Sequence, residues 1–128
     1  MDVLADTQAF IWFFENNSRL PSSAKQFMES STNLVVSIAS FWEITIKMSL
    51  RKLSIPENIS GLMDKAVLKG FKILSIKREH LIILSNLDLI HRDPFDRLII
   101  AQAIAENIPL VSSDVVFQQY PVNCVWKY

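Results

Sequence analysis

Four short apolar runs punctuate the chain: VLA at 3–5, LVVS at 34–37, FKILSI at 71–76 and IPLVSS at 108–113. A strand with one wet face alternates apolar and polar residues, whereas LVVS and its relatives are nearly continuous, the pattern of strands covered on both sides. Between them lie longer stretches with helix signals, and strands alternating with helices build a parallel sheet. The expectation is therefore a three-layer α/β/α sandwich around a central, mainly parallel sheet. In such a sheet, functional groups gather beyond the carboxyl ends of the strands, near a switch in strand order.

The intervening segments support that frame. AFIWFFEN at 9–16 reads as a helix, and Pro21-Ser22-Ser23 supplies turn and cap chemistry for another through about Ser30. Pro56-Glu57 and Ser60 open a helix that closes near Gly70 as a C-cap. REHLIILSNL is read as helix, a further helix runs from Pro94 to about Asn107, and VNCVWKY is a final edge strand. SFWEITIKMSL at 40–50 resists: its last eight residues alternate polar and apolar, the mark of a half-buried strand. The helical alternative sets Trp42, Ile46, Leu50 and Leu53 on one stripe, with Glu43, Lys47 and Arg51 beside it. Helix is preferred, because LVVS needs a crossover before it can meet a parallel partner.

With 128 residues, half of them apolar, the chain has enough core for one domain, and no repeat, linker or low-complexity tract divides residues 1–128. Thirteen basic and thirteen acidic side chains cancel, which argues against a generic DNA-coating protein but leaves room for local contacts with RNA. Only Gly61 and Gly70 are present, so no glycine-rich phosphate loop can be written. Cys124 is the lone cysteine, which removes internal disulfides and cysteine-based metal sites and leaves it as a small, half-buried hydrophobe. MDVLADTQ lacks the basic start of a secretory signal, and no apolar run is long enough to span a bilayer. A cytoplasmic protein with no membrane partner is expected.

Four acids converge by topology alone. Asp6 closes the first strand and Asp114 follows IPLVSS, so both fall beyond carboxyl ends of a parallel sheet. Asp96 lies in the first turn of the helix feeding IPLVSS, and such a helix starts at the same rim. Glu43, if helical, stands a turn or so after LVVS. Clustered carboxylates repel unless a cation compensates. With His80 and His91 as the only histidines and no cysteine nearby, an all-oxygen donor set favours Mg²⁺, with Mn²⁺ as substitute. Such a site suits phosphodiester hydrolysis by an activated water. Each acid also has a plainer role: Asp93 before Pro94 is an N-cap, Asp96 then favours the helix dipole, Glu43 can pair with Lys47, and Asp6 and Asp114 suit turns.

LADTQAFIWFF, SIASFWEITIKMSLRKL and HRDPFDRLIIAQAIAENIPLVSSD together resemble the PIN domain, specifically the VapC-like toxins of bacterial toxin–antitoxin pairs. The resemblance spans nearly the whole chain and is loosest over residues 54–90. It implies that Asp6, Glu43, Asp96 and Asp114 are the catalytic, metal-holding acids of a Mg²⁺-dependent ribonuclease. It also implies inhibition by a small cognate antitoxin, a homodimer, and a helix over 39–50. Gln8 stands where many relatives have histidine, and Ser112 where they often have threonine. Thr7, Ser112, Ser113 and Asp93 are candidate accessory groups, although rim hydroxyls more often cap backbone. Lys47, Arg51, Arg92 and Arg97 are candidate RNA phosphate contacts. His91 is read as a loop residue. FIWFF and Trp42 should be mostly core, with a remainder for a dimer or antitoxin contact.

The competing reading is a non-catalytic PIN-like module that binds RNA or protein. A signalling receiver is ranked low because FKILSI, taken as the central strand, ends without an aspartate. A phosphatase with an Asp-x-Asp nucleophile fails because Thr7-Gln8 follows Asp6.

Overall fold

The computed structural model describes residues 2–126. Along the chain run β1 (Asp2–Ala5), α1 (Thr7–Phe14), α2 (Ser22–Glu29), β2 (Asn33–Ser37), α3 (Ile38–Ser49), α4 (Ile59–Leu68) and β3 (Phe71–Leu74). They are followed by α5 (Arg78–Asn86), α6 (Pro94–Glu106), β4 (Leu110–Val111), a 3-10 turn (Val115–Gln119) and β5 (Cys124–Val125). The strands form one sheet in the order β3-β2-β1-β4-β5, and every pairing is parallel. The expected α/β/α sandwich is what the chain adopts.

Alternation along each strand sorts the core into two layers. Val3, Ala5, Leu34 and Val36 meet Phe10, Met28, Phe41, Ile44 and Leu62 from α1 to α4 on one face. Leu4 and Val35 meet Ile99, Ile100 and Ala103 of α6, with Phe117 and Tyr120, on the other. Phe10 is fully buried, with edge-on contacts to Phe41 and Phe71 at centroid distances of 5.3 and 5.0 Å. On the second face α5 is tied to α6 by fully buried His80, whose Nε2 lies 2.8 Å from Glu106 Oε2.

Residues 38–49 are helical, as the crossover requires, and the Ser37 hydroxyl caps the start by accepting from the Ala39 N–H at 3.0 Å. The stripe that reading placed together is not the buried one. Phe41 and Ile44 enter the core, while Trp42, Ile46 and Leu50 are 56%, 38% and 59% exposed. The alternation in the sequence arises because this helix carries apolar residues on two sides. FKILSI stops at Leu74 and forms the edge strand β3, not a central one. The central strand is β1, and it does end in an acid, Asp6. The ground given against a receiver therefore falls, and family membership decides the matter below.

Other differences are local. IPLVSS gives only the two-residue β4, since Pro109 has no N–H, yet the Pro109 carbonyl accepts from the Leu4 N–H at 2.9 Å. Asn58, not Ser60, caps α4, its Oδ1 accepting from the Gly61 N–H at 2.8 Å. Gly70 takes φ +97°, the left-handed conformation that ends α4 and turns the chain into β3. β5 lies at the sheet edge as expected, and Lys127 and Tyr128 of VNCVWKY fall outside the described residues. The connections that enter strands, at 30–32, 69–70, 107–109 and 121–123, all lie along the amino edge of the sheet. Among the described residues no helix is long and apolar enough to cross a membrane.

Phe10→Ala should lower stability by about 3–5 kcal/mol, the usual loss for truncating a fully buried aromatic ring. Urea unfolding of both proteins measures it, and a loss under about 1 kcal/mol would mean the two-layer packing is misassigned.

Candidate active site

The four sequence-singled acids are carried to one place by four different local devices. Asp6 leaves central β1 and caps α1, its Oδ1 accepting from the Ala9 N–H at 2.8 Å. Its own N–H donates to the Val111 carbonyl at 3.0 Å, fixing it against β4. Glu43, on the buried side of α3, accepts a 2.7 Å hydrogen bond from the Thr7 hydroxyl at Oε1, and Thr7 Oγ1 also lies 2.9 Å from the Ser40 hydroxyl. Asp93 caps α6, its Oδ1 accepting from the N–H groups of Phe95 and Asp96 at 2.8 and 3.2 Å, with Pro94 at the first helical position. Asp96 thereby sits in the first turn, where the helix end favours negative charge. Asp114 caps the 3-10 turn through Oδ1, which accepts from Val116 N–H at 2.9 Å, and its Oδ2 remains for the site.

Together Asp6, Glu43, Asp93, Asp96 and Asp114 line a cleft of about 230 Å³ at the carboxyl edge, with Thr7, Gln8, Ser113 and Lys47. A larger hollow of about 350 Å³ lies at the amino edge between Asn107–Pro109 and Pro121–Asn123 and has no carboxylate in its lining.

Crowding and burial leave their mark on the acids. Burial, reinforced by Glu43 and Asp114, pushes Asp6 up to about 6 despite hydrogen bonds from Ser112 and Ala9. Asp96 is pushed up to about 7 by burial first and Asp93 second, with Glu43 and Asp6 adding and His91 opposing. Lys47 Nζ lies 2.9 Å from Glu43 Oε2, and that hydrogen bond raises its pKa, holding the ammonium charged at the cleft wall.

The accessory candidates divide. Thr7 hydrogen-bonds the Glu43 carboxylate. Ser112 serves both sides: its hydroxyl accepts from the Asp114 N–H at 3.1 Å and hydrogen-bonds Asp6. Asp93 is cap and cleft wall at once. Of the basic candidates, only Lys47 lines the cleft. Arg51 is exposed at φ +58°, past the end of α3, and Arg92 is exposed on the loop before α6. Arg97 is committed elsewhere, donating to the carbonyl of Asp88 at 2.9 Å and reaching the Tyr120 hydroxyl at 3.4 Å. Cys124 is half-buried as expected, and burial pushes its thiol up to about 11.

His91 is the residue the sequence reading left outside. It is on a loop, but its Nε2 lies 2.9 Å from Asp114 Oδ2 and 3.1 Å from Asp96 Oδ2. A histidine two residues before a helix cap, in a segment already carrying a candidate acid, was the available signal. These three ligand-capable atoms all lie within 4.8 Å of one another. Carboxylates held up near 6 and 7 by burial and mutual repulsion are what a divalent cation would relieve. The oxygen donors suit a hard ion such as Mg²⁺ or Mn²⁺, so the residues present fit one.

The PIN-domain family model matches residues 3–123. Among curated proteins none matches the sequence. Solved structures share the fold at low identity. A chain of the VapBC2 complex from Rickettsia felis, bound to a DNA fragment from its promoter, has TM-score 0.74 and 17% identity over 99% of this chain and 100% of that one. A chain of DNA-bound VapBC from Salmonella typhimurium gives TM-score 0.71 and 14% identity, over 98% and 97%. A chain of a toxin–antitoxin complex from Klebsiella pneumoniae gives 0.67 and 19%, over 98% of each.

The raised acids make a signed statement about stability. Asp6 and Asp96 titrate higher in the folded chain than unfolded, so their contribution is fully present below about pH 4 and is lost as pH rises through about 6 and 7. In chelator, Asp96→Asn should therefore melt higher than wild type at pH 8, by roughly 4 °C or more. The difference should be clearly smaller at pH 5, where Asp96 is neutral in the folded chain and ionised only in the unfolded one. Thermal melts at both pH values check this, and a pH-independent difference would contradict it.

Proposed function

The chain belongs to the PIN-domain family, and from that premise we propose that it is a Mg²⁺-dependent endoribonuclease, the toxin of a toxin–antitoxin pair acting in the cytoplasm. The observation that carries the reading is the convergence of Asp6, Glu43, Asp96 and Asp114 on one cleft, with Asp6 and Asp96 held above the ordinary carboxylate range. Asp6, Asp96 and Asp114 would hold the cation, with Glu43 completing the acidic wall. When bound, the cation would orient and acidify the attacking water and offset charge on the phosphoryl oxygens.

The side chains supply positioning. Backbone N–H groups occupy one oxygen each of Asp6 and Asp114, fixing both carboxylates before substrate arrives. Thr7 and Lys47 do the same for Glu43. Lys47, charged at the cleft wall, is placed to meet a phosphate oxygen of RNA, as a local contact that the neutral overall charge does not supply. Gln8 is exposed at the cleft, so the amide in place of the common histidine leaves the acids in position.

A homodimer is proposed through the exposed stripe Trp42, Ile46 and Leu50 along α3 and its C-terminal cap, three large apolar side chains one helical turn apart. Leu50→Glu should shift the protein from dimer to monomer in sedimentation, while a wild-type monomer at micromolar concentration would remove this interface. One similar structure is a toxin–antitoxin complex from Klebsiella pneumoniae, which supports a small antitoxin as the inhibitory partner. The product of a small reading frame adjacent to the gene is the candidate to assay as inhibitor.

Purified protein should cut RNA with Mg²⁺ or Mn²⁺, and Asp96→Asn should reduce the rate by at least about a hundredfold while remaining folded by circular dichroism. Equal cleavage by Asp6→Asn, Asp96→Asn and wild type would overturn the assignment. RNA binding without cleavage across both metal titrations would instead favour a non-catalytic binding module.

A further inference from the structure

His91 has a fixed tautomer. Its Nδ1 accepts from the Asp93 backbone N–H at 3.1 Å, so the neutral ring carries its proton on Nε2. That single N–H donates to Asp114 Oδ2 at 2.9 Å, and Asp96 Oδ2 lies 3.1 Å from the same nitrogen. Neither ring nitrogen then has a lone pair to give a cation: one is spent on the backbone, and the other bears hydrogen. The arrangement is built rather than incidental. The His91 and Ile90 N–H groups both donate to the Tyr120 hydroxyl, at 2.8 and 3.1 Å, and that hydroxyl donates to the Asp88 carbonyl at 2.9 Å. The ring itself rests edge-on against buried Phe117, with centroids 5.5 Å apart. Loop and ring are both pinned, and the N–H is aimed at Asp114 with Asp96 alongside.

We propose that His91 is a positioning residue that competes with the cation: its Nε2–H holds Asp114 beside Asp96 and must release it when the metal enters. This rests on the metal-dependent reading above, and it concerns a residue outside the acidic quartet. The imidazole N–H satisfies a carboxylate that the cation would take, so it steadies Asp114 next to Asp96 and at the same time lowers the net gain on binding. Two consequences have opposite signs for fold and for metal. Removing the ring should weaken the cation-free protein and tighten the cation.

The test is Mn²⁺ binding by calorimetry at pH 8, with thermal melts in chelator, for wild type, His91→Ala, His91→Gln and Asp96→Asn. His91→Ala should melt lower without metal yet bind Mn²⁺ about three- to tenfold more tightly, the scale of one ordinary net hydrogen bond. His91→Gln, which restores an N–H near the position of Nε2, should return the affinity towards wild type. Weaker Mn²⁺ binding by His91→Ala would make His91 a ligand and overturn the proposal. A lower melting point with unchanged Mn²⁺ affinity would make its role purely structural and overturn it as well. If wild type takes up no Mn²⁺, as Asp96→Asn should not, the metal-dependent reading fails and this proposal with it.

Discussion

Parallel pairing of all five strands is the constraint from which the rest of the molecule follows. Because every strand runs the same way, whatever follows a strand appears at one edge of the sheet. Asp6 and Asp114 follow β1 and β4, which pair through Leu4 with Leu110 and Ala5 with Val111. α3 begins directly after β2 at Ser37, with no connecting loop, so Glu43 cannot wander from that edge. α6 must start there too, since it runs back to feed β4, and so Asp96 arrives in its first turn. No long-range folding coincidence is needed to bring four acids together. The sheet direction does it.

The same geometry concentrates negative charge, and the chain orients it with backbone amides. Asp6, Asp93 and Asp114 are all caps, each accepting from N–H groups of the turn it starts. A cap fixes a carboxylate in angle as well as in place, because its acceptor oxygen must face the exposed amides of the first turn. The plain structural role and the chemical one are therefore not rivals for these side chains. One oxygen serves the helix while the other faces the cleft, as Asp114 shows through Val116 on one side and His91 on the other. Burial first, and repulsion after it, is visible in the raised Asp6 and Asp96, a local instability kept at the carboxyl edge.

Which parts were legible in the sequence follows from how local each signal is. LVVS, the Pro94 helix start and the Gly70 stop depend on adjacent residues, and those elements lie where the sequence put them. The helical state of residues 38–49 was readable only through topology, because its own alternation pointed to a strand. The reason is now plain: Ile44 packs inward while Ile46 and Leu50 face outward. The short β4 was over-read because side-chain pattern does not report how far pairing extends past Pro109. Strand order is not encoded in any one segment, and β3, expected at the centre, lies at the edge. The acids were found by their positions relative to strands. His91 was missed because its meaning depends on Asp114, 23 residues away and brought close only by the fold.

The two edges of the sheet have thus been given different work. Every connection that leaves a strand for a helix or turn at the carboxyl edge is short, and those after β1 and β4 carry Asp6 and Asp114. The connections at 30–32, 69–70, 107–109 and 121–123 enter strands at the amino edge and carry none of the four acids. Loops of that kind absorb changes in length with little thermodynamic penalty, because closure entropy grows slowly. For anyone labelling or splitting this molecule, the amino edge is the handle: a tag, fluorophore or inserted module placed there rides on the fold at the edge opposite the cleft.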